Sequence, residues 1–270
     1  MSQTQKVIKY LAIAFAFFLT FSILSSIMYG VSFVAGLWDD KPIITEKLTN
    51  LEISEEALLL DIDIVSSNII IKEGDSFRVK TNNNNITSKQ DDQKLYIQEK
   101  KHSWFSNSND TALIIFIPSN YIFDKVTIES DAGKVNIETL VTKSLYLDLG
   151  AGKVEMNDLT VLEDAEIDGG AGEINIHSGS IHNLDLDMGI GKLSLTSKLT
   201  GINKIDSGIG KVEMSLLGTL EDYQIILDKG LGTATIDGNN MSSNTYYGTG
   251  SNKIDMDGGV GNIQIELVNE

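Results

Sequence analysis

One short pattern returns seven times in the second half of this chain, and it restricts the fold more than any other feature of the sequence. Its members are ESDAGKVNI (129–137), DLGAGKVEM (148–156), DGGAGEINI (168–176), DMGIGKLSL (187–195), DSGIGKVEM (206–214), DKGLGTATI (228–236) and DGGVGNIQI (257–265). The second glycines are Gly133, Gly152, Gly172, Gly191, Gly210, Gly232 and Gly261, separated by 19, 20, 19, 19, 22 and 29 residues. A fixed period of this kind marks a repeat architecture, in which each unit buries its apolar side chains only by stacking on its neighbours.

Phase gives the local structure. Counted from the second glycine, position −5 holds Ile128, Leu147, Ile167, Leu186, Ile205, Leu227 and Met256. Position −7 is apolar except at Asn203, and positions +2 and +4 are apolar in every repeat. Alternation with period two means strands with one buried face. Position −1 shares the parity of −5 and reads as inward. Its change from alanine (Ala132, Ala151, Ala171) to Ile190, Ile209, Leu231 and Val260 predicts a core that widens toward the C-terminus. The step from −1 to +2 breaks the alternation, so the backbone must bend at the glycine, which accepts a corner's positive φ. The expected fold is all-β: a parallel β-solenoid, β-helix-like, with strands about 4.8 Å apart between coils. Propeller blades need about 40 residues each, twice this period. Residues 126–270 are the glycine-marked repeats; 51–125, with strand-like LLLDIDIVSSNIII and LIIFIP, are expected to form irregular coils that cap the stack.

The other constraint lies at the front. Residues 10–37 contain no charged side chain, and at about 1.5 Å per residue a helix of that length reaches about 42 Å, beyond a hydrocarbon core of about 30 Å. Residues 10–38 are therefore expected to form one transmembrane α-helix in the lipid bilayer. Lys6 and Lys9 precede it and Asp39 and Asp40 follow it, which places residues 1–9 in the cytoplasm and the remainder outside. A cleaved signal peptide is the competing reading, but its apolar region runs to only about 7–15 residues. Residues 39–50 read as a linker.

Composition narrows the functions. The chain carries a net charge of −17, and the two lysines of residues 1–38 leave −19 on residues 39–270, which argues against nucleic acid as a partner. With no cysteine there is neither a disulfide nor a thiolate metal site. The Gly-x-Gly-Lys strings lack the spacing and the following helix of a phosphate loop. The calcium-binding β-roll needs a nine-residue period, and four of the seven residues after the second glycine are lysines. An aspartate column at −4 (Asp148, Asp168, Asp187, Asp206, Asp228 and Asp257, headed by Glu129) has outward parity. Its favoured role is to accept hydrogen bonds from corner N–H groups; the alternative is a column that holds divalent cations or a cationic partner. His102, His177 and His182 form no catalytic spacing, and no nucleophile motif is present. Neither an enzyme nor a cofactor is expected.

SSNIIIKEGDSFRVK, LYIQEK, LIIFIPSNYIFDKVTIESDAGKVNI and the glycine coils together resemble the bacterial "putative adhesin" family of membrane-anchored β-strand-repeat proteins of unknown function, over about residues 55–270. Asp131 departs from the glycine that the family's first coil carries. The resemblance implies a solenoid and, for some relatives, a place in the envelope stress systems of Gram-positive bacteria. It supplies no catalytic or ligand residues. Two functions follow as expectations: a non-catalytic, membrane-proximal scaffold that docks a protein partner at the membrane or cell wall, or a surface adhesin for an external ligand. A 12-residue linker reaches at most about 40 Å, which favours the first.

Overall fold

The computed structural model describes residues 47–53, 57–100 and 111–269. The expected span at 10–38, residues 1–9 and the linker before residue 47 lie outside these. Among the described residues no helix is long and apolar enough to cross a membrane. All regular structure described is strand. Before the repeats come β1 (Thr49–Asn50), β2 (Leu59–Ile64), β3 (Asn68–Glu73), β4 (Arg78–Thr81), β5 (Ile86–Asp91), β6 (Lys94–Glu99) and β7 (Ala112–Ile117). The repeats form β8 (Ile122–Ile176), β9 (Gly179–His182), β10 (Leu184–Thr200), β11 (Ile202–Leu217), β12 (Tyr223–Asp228), β13 (Leu231–Ile236), β14 (Asn239–Asn240) and β15 (Asn252–Val268). Within the 55 residues of β8 the chain turns through nearly three coils without losing its ladder.

Coils stack in parallel and in register. Gly172 pairs with Gly191, Gly191 with Gly210, Gly210 with Gly261, and Gly261 with Gly232. Each coil has three arms. The first buries positions −7 and −5, and often −3, where Leu149 and Met188 sit; the second buries +2 and +4. The third runs through Leu140–Thr142, Leu159–Val161, β9 and Lys198–Thr200, and its inward side chains include Leu159, Val161, Ile181 and Leu199. Period-two reading overlooks this arm because Thr142, Gly179 and Ser197 occupy inward positions. Thr142 and Ser197 are fully buried, and their hydroxyls donate to the carbonyls of Ser144 (2.9 Å) and Gly179 (3.1 Å). The polar groups are thereby satisfied.

Position −1 is not inward. Ile190, Ile209, Val260 and Leu231 are 57%, 53%, 48% and 77% exposed, so the predicted widening of the core is wrong. The inward row ends at −3, the chain turns over −2 to 0, and the residue between the two glycines sits outside the bend. The parity argument fails because the bend starts two residues earlier than it supposed.

Stacking departs from chain order at both ends. At the C-terminal end β15 lies between β11 and the β12–β13 coil, so the last coil in sequence is second from the end in space. At the other end β2 and β3 lie between β8 and the β6–β7 coil. Residues 59–73, 94–99 and 112–117 therefore make regular arms rather than the irregular coils expected. The outer edges are closed by antiparallel pieces: β5 on β6, β4 on β7 and β1 on β4 at one end, and β14 on β13 with a Tyr247–Ile225 bridge at the other. Covering edge strands this way blocks pairing with other chains. The long final spacing of the repeat is explained here, since residues 237–251 form that cover and bury Met241.

Asn203, the polar exception at −7, is fully buried. Its Oδ1 accepts the Leu184 N–H (3.0 Å) and its Nδ2 donates to the Lys253 carbonyl (3.0 Å), so it ties three coils together.

Candidate interaction surface

The corner shapes the surface. At Gly133, Gly152, Gly172, Gly191, Gly210 and Gly261 φ lies between 138° and 157°; at the sixth repeat Gly230 takes the positive value instead (53°). The glycines also stack closely. A Cβ at Gly152, Gly172, Gly191, Gly210, Gly261 or Gly232 would overlap the carbonyl oxygen of the glycine in the adjoining coil. The first glycines at 170, 189, 208 and 259 meet the same obstacle. Between these two bare columns stand the −1 side chains, in register as Ala171–Ile190–Ile209–Val260–Leu231. Four large aliphatic groups at about 4.8 Å spacing form one exposed ridge with no side chain beside it. Scattered exposed apolar residues are ordinary; a contiguous line is the kind of feature that marks a contact.

On the first-arm side of the ridge the aspartate column forms a ladder. Asp168 pairs in register with Asp187, Asp187 with Asp206, Asp206 with Asp257, and Asp257 with Asp228, while Glu129 pairs with Asp63 at the other end. Partial burial, then the charges of neighbouring carboxylates, push Glu129, Asp168 and Asp187 above the usual carboxylate range. Only Asp228 of the column accepts a corner N–H among the described residues, that of Gly230 at 3.1 Å. The corner-capping role expected of the whole column therefore holds at one position; Asp206 instead pairs with Lys204. As for cations, no three acidic or histidine side chains converge as a metal ligand set among the described residues. The carboxylates stand in line.

The second-arm side is different. Lys153 bridges Glu155 (2.7 Å), Lys192 bridges Glu213 (2.9 Å) and Lys211 bridges Glu213 (2.5 Å). Burial works against the Glu155 charge, but Lys153, His177 and Asn175 together hold its pKa below normal. Hydrogen bonds from Lys211 and Lys192 lower that of Glu213. Lys192 and Lys211 thus line one flank beside Ile190 and Ile209, with Asn262 and Thr233 beside Val260 and Leu231, while the aspartates line the other. Farther along this arm Lys72, Arg78 and Lys80 lie 5.0, 5.1 and 5.6 Å from the Phe116 ring centre. His177 binds Glu155 (2.8 Å) on the second arm and His182 binds Thr200 (2.9 Å) on the third, so these two do not meet; His102 lies outside the described residues.

Sequence reasoning missed Glu99. The corner between β2 and β3, Val65–Ser66–Ser67, has no glycine. The Glu99 Oε2 accepts the N–H groups of all three at 3.0, 2.9 and 3.1 Å, while Oε1 accepts from Ser67 Oγ and Asn83 Nδ2. A glycine-free corner opposite the Glu of LYIQEK was the available signal.

A parallel, in-register β-stack whose corners are set by glycine and whose surface is drawn in continuous columns defines a repeat protein of the all-β class. The chain belongs to the Toastrack DUF4097 family, whose model matches residues 59–266. None of the curated proteins matches it. Among solved structures, one described as a "putative adhesin" from Bacteroides fragilis NCTC 9343 is similar at 15% identity and a TM-score of 0.49, covering 83% of this chain and 98% of that one. A "putative adhesin" from Parabacteroides merdae ATCC 43184 has 13% identity and a TM-score of 0.38, covering 83% and 98%. A "putative lipid binding protein" from Parabacteroides distasonis ATCC 8503 has 12% identity and a TM-score of 0.40, covering 82% and 96%.

Proposed function

We propose that this chain is a non-catalytic cell-envelope module, anchored by a single transmembrane helix at residues 10–38 with its N-terminus in the cytoplasm, that holds a parallel β-solenoid close to the outer face of the bilayer and docks a protein partner. The observation that carries this reading is the exposed ridge Ile190–Ile209–Val260–Leu231 between its acidic and basic flanks. Aliphatic side chains held in a fixed row on a rigid stack suit recognition of another surface, not turnover of a small molecule. A 12-residue linker reaches at most about 40 Å, which supports a membrane-proximal partner and a role assisting an envelope stress response.

The absence of cysteine makes the test direct. A Ser180→Cys variant of the full chain, on the third arm away from the ridge, is treated with a membrane-impermeant maleimide, and an antibody to the β-domain is applied to whole cells and to wall-stripped cells. The reading expects maleimide labelling in whole cells and antibody binding only after the wall is removed. Antibody binding to whole cells would favour the surface adhesin; labelling only after lysis would reverse the topology and end both readings.

A further inference from the structure

We propose that the corner ridge pairs two copies of this chain side by side and in parallel, about a two-fold axis running along the stack. The inference rests on the reading above and names the partner as a second copy.

The ridge is flanked asymmetrically, and the asymmetry selects both occupant and orientation. Asp187 and Asp206 lie at −4 on one side; Lys192 and Lys211 lie at +1 on the other. A two-fold along the stack exchanges the two sides while keeping the level. It therefore sets Asp206 of one copy toward Lys211 of the other, and Asp187 toward Lys192. A two-fold across the stack sets acid against acid and lysine against lysine, and each such pair repels by about 1 kcal/mol in water at 4 Å. At the Ile190 and Ile209 coils, where Lys192 and Lys211 share the single Glu213, the surface is acidic, apolar and basic in sequence across its width and so complementary to itself, which is the requirement of an isologous contact. The bare glycine columns on either side of the ridge allow the two backbones to approach until the aliphatic groups interleave. Parallel pairing also leaves both N-terminal ends at the same end of the stacks, as two chains anchored in one bilayer need. Four coils make a contact only about 20 Å long, and confinement to the membrane supplies the effective concentration that pairing requires.

Single-cysteine variants of the full chain in membranes, Ile190→Cys, Ile209→Cys and Leu231→Cys, read the geometry under mild oxidation. Parallel pairing expects a disulfide-linked homodimer at every position, with at least ten-fold less from Ser180→Cys on the third arm. Antiparallel pairing would instead join Ile190→Cys to Leu231→Cys in mixed samples and neither to itself, which overturns the proposal. An adduct with a protein of another mass, or no adduct from cysteines that a maleimide does label, sinks self-association and leaves the docking-module reading standing. Failure of the maleimide to reach Ser180→Cys, away from the ridge, in whole cells sinks both. In an Ile209→Cys background, Lys211→Glu is expected to lower the dimer yield about five-fold, and co-expression with an Asp206→Lys copy to restore it; an unchanged yield removes the charge argument.

Discussion

A β-carbon at Gly191 has no free volume, because the Gly172 carbonyl oxygen of the adjoining coil occupies its place, and φ there is 151°. Gly191→Ala is therefore expected to destabilise the domain by about 3 kcal/mol or more, lowering Tm by about 6–12 °C in a thermal melt. Gly238 is the control. It has positive φ (75°) but nothing within 4 Å of its Cβ position, so Gly238→Ala should cost about 1 kcal/mol. Glu99 replaces a corner glycine by different means. Glu99→Ala strands the N–H groups of Val65, Ser66 and Ser67 and removes one of the bonds of the Asn83 amide, and should cost about 3 kcal/mol by urea unfolding. A variant within 0.5 kcal/mol of the parent would show that water serves that corner equally well.

At the scale of an element, the two faces beside the ridge respond to pH in opposite senses. Glu129, Asp168 and Asp187 on the first arm have pKa values raised above those of an unfolded chain, by desolvation and then by neighbouring carboxylates, among them Asp63, Glu166 and Asp206 respectively. The folded state therefore binds more protons than the unfolded state between the unfolded and folded pKa values. Their contribution to stability is present below the unfolded values and is lost as pH rises through the folded ones. Glu155 and Glu213 on the second arm are lowered, so their stabilisation is present at neutral pH and is lost as pH falls through their folded values. Asp187→Asn should accordingly raise Tm at pH 7 by about 2 °C, with the gain shrinking near pH 4 and in high salt. A gain that ignores both pH and salt would mean that the carboxylates do not interact. These arms are legible in the sequence where inward residues are aliphatic, at −7, −5, +2 and +4. They are illegible where a buried hydroxyl or glycine satisfies its own backbone, as at Thr142, Gly179 and Ser197. The ridge is legible as a change of residue type but not as a surface: parity cannot reveal that a corner spends three residues turning. The acidic column announces its alignment through spacing alone, whereas the lack of a capping bond at Asp148 or Asp187 depends on where each N–H points.

For the whole molecule, the order of coils decides how damage spreads. In an ordinary repeat array the last unit has one neighbour, and its removal costs one interface. Here β15 has neighbours on both sides, β11 on one and β12–β13 on the other. Deletion of residues 252–270 should therefore unpair the 223–236 coil as well, seen as loss of hydrogen-exchange protection from Tyr223 to Ile236 while β8 stays protected. Protection that persists there would mean that the penultimate coil in sequence can dock on β11 directly. Such docking bears on how the chain reaches its final state. DKGLGTATI leaves the ribosome before DGGVGNIQI, and both carry the aspartate and glycine spacing that β11 accepts. The earlier segment must leave a gap one strand wide for the later one, or be displaced by it. A tube that could have been wound from one end in order must instead wait for β15 before it closes, so its assembly is timed by the emergence of residues 252–268.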